Sequence, residues 1–270
     1  MDDKTWDKVH QPCPLCNSSD AVGVNTDGSA KCFSCGAFMP DYEKACEGEN
    51  MTTMTTAKLP DDVNEGSFNA LSDRRISQAT AKKYGVKVAL DLQGNVVKHF
   101  YPYYNGYELS ATKCRNVRNK DFFVSGTYNE TGLFGQQLFK GGKYVTITEG
   151  ECDAMAAYEL LGSKWAVVSI KRGAQGAVKD VKESLEFFDE FENVIIAFDN
   201  DKAGKEAAIK VARLFKPSKA KILNLPNGWK DPNDMLRSNK HKEFVEAWWA
   251  AKVYTPSGVI NISEQRDKFH

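Results

Sequence analysis

The sequence predicts an α/β protein: a small cysteine ribbon, then an α+β segment, then a buried parallel sheet flanked by helices. Three observations carry this. Two Cys-x-x-Cys pairs, Cys13/Cys16 and Cys32/Cys35, stand fifteen residues apart near the start of the chain. Two β-rich runs meet at Asn105-Gly106, a dipeptide that readily takes the backbone of a tight hairpin. After Gly141-Gly142, apolar Val/Ile/Leu runs alternate with helical patterns, the rhythm of a parallel sheet covered on both faces.

Taken in order, residues 1–46 hold the ribbon. The spacing of its cysteines is that of a Cys₄ zinc site, in which two short knuckles each present two thiolates to a tetrahedral ion. The alternative, two disulfides in a secreted domain, lacks support, because residues 1–12 are polar and charged and hold no apolar leader. Asp27-Gly28 supplies the turn between the knuckles. Residues 47–62 are Thr- and acid-rich without periodicity and read as a linker.

Residues 63–140 form the α+β segment. A helix is expected from Ser72 to Tyr84, capped by Ser72 or Asp73 and stopped by Gly85. Strands follow at Val86–Leu90, Val96–Tyr104 and Tyr107–Cys114. Residues 141–232 carry the alternating pattern. Its strands are Tyr144–Thr148, Trp165–Ile170, Val194–Phe198 and Lys221–Leu225, and its helices Asp153–Leu161, Ala177–Phe188 and Ala203–Phe215. Residues 233–270 give a final helix over Asn233–Ala251 and a tail.

Composition sets limits on function. The 270 residues are 41% hydrophobic, enough for a packed core. No apolar run approaches the ~20 residues that span a bilayer, so no membrane partner is expected. Cys46, Cys114 and Cys152 make the cysteine count odd and suit a reducing cytoplasm. With 36 basic and 36 acidic residues the net charge is zero, so a nucleic-acid partner has to be held by a local patch.

Ligands of open parallel sheets bind beyond the carboxyl ends of the strands. There the chain places Thr148-Glu149-Gly150-Glu151, then Asp199-Asn200-Asp201-Lys202-Ala203-Gly204, then Asp231-Pro232-Asn233-Asp234. Any one of these acids reads as a solvated residue at a helix N-terminus. Together they are another matter, since like charges about 4 Å apart repel by ~4 kcal/mol at an effective dielectric near 20. A cation has to neutralise them. Oxygen donors without histidine favour Mg²⁺ or Mn²⁺, and magnesium completed by substrate phosphates is an arrangement for phosphoryl transfer.

Lys113, Arg115, Arg118 and Lys120 fall in an eight-residue stretch free of acids. On a strand Lys113 and Arg115 share one face, suited to phosphates, and the alternative is a solvated edge kept soluble by lysine. Phe122, Phe123 and Tyr128 offer rings for base stacking or for the core. Lys171 and Arg172 follow the second sheet strand and reach the same rim, as phosphate contacts or as a polar turn. Ala203-Gly204-Lys205 is not a phosphate loop, because Asp199 and Glu206 stand where glycine and Ser/Thr are required. No other stretch supplies one, so a helicase half is not expected in this chain. His10, His99, His241 and His270 lack ligand spacing and read as surface or satisfied residues.

Glu149-Gly150-Glu151 with Asp199-x-Asp201-x-x-Gly204 resembles the Toprim signature of bacterial-type primases, topoisomerases and some nucleases. With the Cys₄ ribbon, the Ser110–Asn116 strand, Gly132-Leu133-Phe134-Gly135 and Lys230–Asp234, the chain resembles the primase half of the T-seven-type phage primase–helicases from about residue 10 onward. The resemblance implies Glu149 as metal ligand or general base, Asp199 and Asp201 as holders of the catalytic metals, and Asp231 as a supporting acid. It implies synthesis of short RNA primers on a single-stranded DNA template from ribonucleoside triphosphates. Lys113, Arg115, Arg118 and Lys120 would then meet template and nucleotide, beside a separate replicative helicase and a DNA polymerase in the infected host's cytoplasm. In the ribbon, Asp27 and Lys31 would touch the template. Ser29 stands where the family carries a histidine associated with reading the start sequence, and Lys31 is the substitute contact. A Toprim nuclease, a topoisomerase-like strand cleaver and a non-catalytic single-strand-binding module are the competing readings. A topoisomerase needs a nucleophilic tyrosine in a further domain, for which 270 residues leave little room.

Overall fold

The structure is a computed structural model, and it describes residues 6–14, 18–33, 38–39, 41–47, 66–226 and 228–255. The proposed linker 47–62 lies outside these beyond Glu47, as do Cys16 and Cys35 of the ribbon, His270 and the tail from residue 256.

The ribbon is a four-stranded antiparallel sheet of β1 (Trp6–Gln11), β2 (Val22–Asn25), β3 (Ala30–Cys32) and β4 (Phe38–Met39), followed by α1 (Tyr42–Glu47). Asp27-Gly28 makes the expected turn, with Gly28 at φ +81° in the left-handed region. The Gly28 N–H donates to the Asn25 carbonyl at 3.0 Å. Cys13 and Cys32 are buried with Val22, Val24, Ala30 and Met39 in a small core of their own.

The next lobe is an antiparallel meander of β5 (Lys87–Leu90), β6 (Val96–Asn105), β7 (Glu108–Asn116) and β8 (Phe122–Gly126), preceded by α2 (Gln78–Tyr84). The hairpin forms at the Asn-Gly signal: Asn105 pairs with Glu108 and Gly106 takes φ +58°. The expected helix from Ser72 to Tyr84 is interrupted. Residues Ser72–Arg74 make one 3₁₀ turn, Arg75 is left-handed at φ +55°, and the helix begins only after Ser77. Ser77 is the better cap because its side chain accepts the Thr80 N–H and its own hydroxyl donates to Glu159 at 2.6 Å. Gly85 stops the helix at φ +74°, as expected.

The third unit has strand order β10-β9-β11-β12-β13, from β9 (Gly142–Thr148), β10 (Ala166–Ser169), β11 (Phe191–Ala197), β12 (Ala220–Ile222) and β13 (Lys252–Val253). The first four strands are mutually parallel and β13 closes the edge antiparallel to β12. Alternation along the strands splits their side chains between two cores. On one face Val167, Ile195 and Ala197 pack with α3 (Glu151–Leu160), α7 (Pro232–Arg237) and α8 (His241–Trp249), and with Tyr84, Tyr101 and Tyr103 of the meander lobe. On the other, Val145, Ile147, Val168 and Ile196 pack with α4 (Gly173–Glu183), α5 (Leu185–Asp189) and α6 (Lys202–Ala212).

Two expected helices are each divided. The run Ala177–Phe188 breaks at Ser184, which leaves the helical region at φ −118° and turns Phe188 into the core against Phe215. The run Asn233–Ala251 breaks at Ser238–Lys240, where Asn239 is left-handed at φ +58°. Among the described residues no helix is long and apolar enough to cross a membrane.

Candidate nucleotidyl-transfer site

Register brings the acids together. Thr148 on β9 lies level with Ala197 on β11 and with Ser169 on β10, so Glu149, Asp199 and Lys171 all emerge at the same edge of the sheet. Glu149 Oε1 accepts the Ala174 N–H at 3.2 Å at the start of α4, while its Oε2 is buried with no hydrogen-bond partner among the described residues. Burial pushes the Glu149 carboxyl up, and the neighbouring charges of Asp199 and Asp201 push it further. Asp199 is likewise pushed up by burial, against the pull of Lys230, whose Nζ lies 2.9 Å from Asp199 Oδ2.

The other two expected acids begin helices. Asp201 caps α6 by accepting the Gly204 N–H at 2.8 Å, and Asp231 caps α7 by accepting the Asp234 N–H at 2.7 Å. The glycine of the Asp-x-Asp-x-x-Gly motif now has a steric reason. A Cβ at Gly204 would lie 2.2 Å from the Asp199 carbonyl oxygen, so only glycine lets α6 start this close to the acid loop.

Sequence reasoning missed one member. Asp153, on the first turn of α3, accepts the Asn233 N–H at 3.3 Å; burial, then the charges of Asp231 and Asp199, push its carboxyl well above the usual range. Nothing local marks it, because Gly150 is extended and Glu149 lies outside α3, so only the fold brings Asp153 to Asn233 and Asp231. As the side chains stand, no three acid, histidine or cysteine groups among the described residues converge tightly enough to hold an ion. The donors nevertheless suit a hard divalent cation: all are oxygens, Glu149 Oε2 is an orphaned buried acceptor, and burial disfavours the charges of Glu149, Asp153 and Asp199.

The meander sheet reaches the start of α3 through two side chains. Lys113 Nζ reaches Glu151 Oε1 at 2.7 Å, and the Tyr103 hydroxyl donates to the same oxygen at 2.6 Å. Glu151 is the second glutamate of the motif and is committed to this pair. Arg115 lies beside Lys113 on the strand face, its Nε buried without a partner among the described residues, and both cations lie over the Phe122 ring at 5.5 and 4.8 Å. Arg118 and Lys120 are exposed on the turn between β7 and β8. Phe122 and Phe123 are 45% and 39% exposed, whereas Tyr128 is half-buried against Tyr103 with ring centroids 4.8 Å apart.

Lys171 and Arg172 are engaged inside the protein. Lys171 Nζ donates to the Thr131 carbonyl and is buried, which, with the nearby Arg172 charge, pushes its pKa down. Arg172 pairs with the fully buried Asp180, which also accepts the N–H groups of Lys171 and Arg172 at 2.7 and 3.0 Å. Their geometry is that of a braced turn. His99 is buried and satisfied by Asp73 at 2.9 Å and Tyr101 at 2.8 Å, while His10 and His241 are exposed.

In the ribbon, Ser29 is buried, and its hydroxyl donates to Asp27 Oδ1 at 2.5 Å and accepts from Asn25 Nδ2 at 3.0 Å. That bonding commits Ser29 and Asp27 to the turn. Lys31 is exposed on β3. Of the expected zinc ligands the structure describes Cys13 and Cys32, both buried.

A profile of the Toprim-like family matches residues 146–236. A DNA helicase/primase of Enterobacteria phage T3 is 32% identical over 267 residues, covering 96% of this chain and 46% of the relative. The chain therefore spans about half the length of that curated relative. The crystal structure of the primase fragment of the bacteriophage T7 primase-helicase superposes with a TM-score of 0.65 at 31% identity, covering 89% of this chain and 98% of that one. A second structure, of the bacteriophage T7 lagging-strand DNA polymerase with primase domains of two subunits bound to an RNA/DNA hybrid and dTTP, contains a chain that matches at TM-score 0.63 and 32% identity. That match covers 70% of this chain and 95% of the other. With a Toprim-like match over the acid rim, and 31% identity to the phage primase fragment, 98% of which it covers, the chain belongs to the Toprim primases of bacteriophage.

Proposed function

We propose that this chain is a DNA primase, which joins ribonucleoside triphosphates into short RNA primers on single-stranded DNA during replication. The observation that carries the reading is a junction of opposite charges: Glu149 and Asp199 follow adjacent parallel strands, and Lys113, with Arg115 on the same face of its strand, is bonded to Glu151 two residues beyond Glu149. In the reaction a ribonucleotide 3′-hydroxyl attacks the α-phosphate of a second triphosphate and pyrophosphate leaves. Glu149, Asp199, Asp201 and Asp231 would hold Mg²⁺ or Mn²⁺, with Asp153 in support. Such ions, when bound, lower the triphosphate's negative charge and stabilise charge developing on the transferred phosphoryl group.

The chain's own residues do the rest. Glu149 Oε2, with no hydrogen-bond partner among the described residues, is the atom available to ligate or to take up the proton of the attacking hydroxyl. Lys113, fixed on Glu151, holds one positive charge at a set place, and Arg115 adds a fork of donors suited to phosphate. Phe122, beneath both cations and 45% exposed, offers a ring to a template base. Arg118 and Lys120 extend the positive track. Cys13 and Cys32, with Cys16 and Cys35, would bind one structural zinc, and Lys31 is the ribbon side chain best placed to meet the template.

The T3 relative is named a helicase/primase, and the T7 polymerase complex contains primase domains. We therefore assign a replicative helicase and a DNA polymerase as partners, in the cytoplasm of the infected cell. The test is incubation with single-stranded DNA templates, ribonucleotides and Mg²⁺, with Asp199→Ala as control. Short RNA from the wild type and none from the variant is the expected result. Cleaved DNA without RNA establishes a nuclease instead, and binding with neither activity a non-catalytic module. For the ribbon, Cys35→Ser is expected to lose zinc by elemental analysis; full zinc content would exclude the Cys₄ site.

A further inference from the structure

Lys230 has a place in the acid rim that the reaction chemistry does not account for. Its backbone is latched to the acid loop: the Asn200 N–H donates to the Lys230 carbonyl at 2.7 Å, and Asn200 Nδ2 donates to the Trp229 carbonyl at 3.1 Å. The origin of the side chain is thus fixed beside Asp199. The side chain itself is 58% exposed, so its four-carbon stem is free to rotate into solvent. Its ammonium nevertheless lies 2.9 Å from Asp199 Oδ2, and Asp199 is only 14% exposed. Asp231 and Asp201 also act on this ammonium, the former as its neighbour in the chain. One mobile positive charge therefore stands where several carboxylates would otherwise face one another unneutralised.

We propose that Lys230 is a tethered counter-cation of the acid rim: it neutralises Asp199 when no divalent ion is held, and a divalent ion has to displace it to bind. This rests on the reading of Glu149, Asp199 and Asp201 as a divalent-cation site. Lys230 then tunes how tightly the site holds its ion. It keeps the ion-free rim from repelling itself, and it limits ion affinity because every binding event breaks the Asp199 pair.

The test is direct binding of Mn²⁺, without nucleotide or DNA, to the intact chain. Measurements by calorimetry and by the electron-spin signal of free Mn²⁺ would compare wild type, Lys230→Met, Lys230→Arg and Asp199→Ala. An ion pair with one exposed partner is worth roughly a factor of two to five in an equilibrium constant. Lys230→Met is therefore expected to bind Mn²⁺ about two- to fivefold more tightly. Its ion-free form should melt lower than wild type and recover in saturating Mn²⁺. Lys230→Arg, which keeps the pair, should bind as wild type does. In Asp199→Ala the added Lys230→Met change should bring no further gain, because the lysine acts through Asp199. Unchanged or weaker Mn²⁺ binding by Lys230→Met overturns the proposal while leaving the cation site standing. Absence of Mn²⁺ binding by the wild type, or undiminished binding by Asp199→Ala, overturns the cation site and the role of Lys230 with it.

Discussion

Removing the carboxylate of Glu151 should uncouple the meander sheet from the start of α3. Glu151 is 6% exposed and accepts from two groups, Lys113 Nζ at 2.7 Å and the buried Tyr103 hydroxyl at 2.6 Å. In Glu151→Gln the side chain keeps its shape but leaves the Lys113 ammonium, 17% exposed, without a counter-charge. Breaking a buried pair costs about 3–5 kcal/mol, and because Lys113 keeps some contact with water the lower figure, about 3 kcal/mol, is expected. That corresponds to a fall in Tm of roughly 6–10 °C for a unit of this size. Urea denaturation of wild type, Glu151→Gln, Lys113→Met and the double variant closes a thermodynamic cycle, with an expected coupling of about 2 kcal/mol.

Acid should erase the same advantage. Burial alone would raise the Glu151 carboxyl, but the Lys113 charge and the hydrogen bonds from Lys113 and Tyr103 reverse this and hold it below the usual glutamate range. A depressed carboxyl stabilises the fold fully above its unfolded value, about 4.3, and the contribution fades as pH falls through the lower folded value. The stability gap between wild type and Glu151→Gln should therefore narrow only below about pH 4. A coupling under about 0.5 kcal/mol, or a gap that stays constant into acid, would refute the account of a largely buried pair.

Two further substitutions test the packing that supports the site. Gly204→Ala forces its new methyl against the Asp199 carbonyl, 2.2 Å away. It should cost about 1–3 kcal/mol in urea and weaken Mn²⁺ binding in calorimetry, and a neutral result would show that the α6 start is not sterically locked to the acid loop. Trp248→Ala removes an indole that is 1% exposed and donates to Thr146 Oγ1 at 3.0 Å on β9. A loss of about 3–5 kcal/mol by denaturant titration is expected, and a loss under about 1 kcal/mol would deny α8 its part in the core.

Much of this architecture was legible because its signals are short-range. The apolar runs before Glu149 and Asp199 gave two neighbouring parallel strands, and Asn105-Gly106 gave the hairpin that carries Lys113. The helix breaks were harder. Apolar periodicity continues through Ser184 and through Ser238–Asn239, and only the need to turn Phe188 and the Trp248 helix against the sheet decides where the chain departs from it. Strand β8 was hidden because Lys120 and Asp121 interrupt the pattern just before Phe122, and it forms by pairing with β7 rather than from local preference.

The candidate site divided in the same way. Acids at strand ends are readable, but which charge answers which is a long-range matter. Lys113 meets Glu151 from thirty-eight residues away, and Asp180 answers Arg172 across one helix. Lys171 looks like a phosphate contact in sequence and is a buried brace in the fold, since its carbonyl partner at Thr131 lies forty residues earlier. Asp153 became visible only when Asn233 and Asp231 were brought against it.

The two margins of the parallel sheet are both occupied. Along β10 the backbone of Phe134 exchanges hydrogen bonds with Ser169 at 3.1 and 3.2 Å, and along β12 the two-residue β13 lies with Lys252 on its outside. Open strand margins recruit other chains, and a short lysine-bearing margin is a poor recruit. This sheet should thus accept no further strand from a second copy, and variants that free Phe134 from Ser169 should expose its β10 margin.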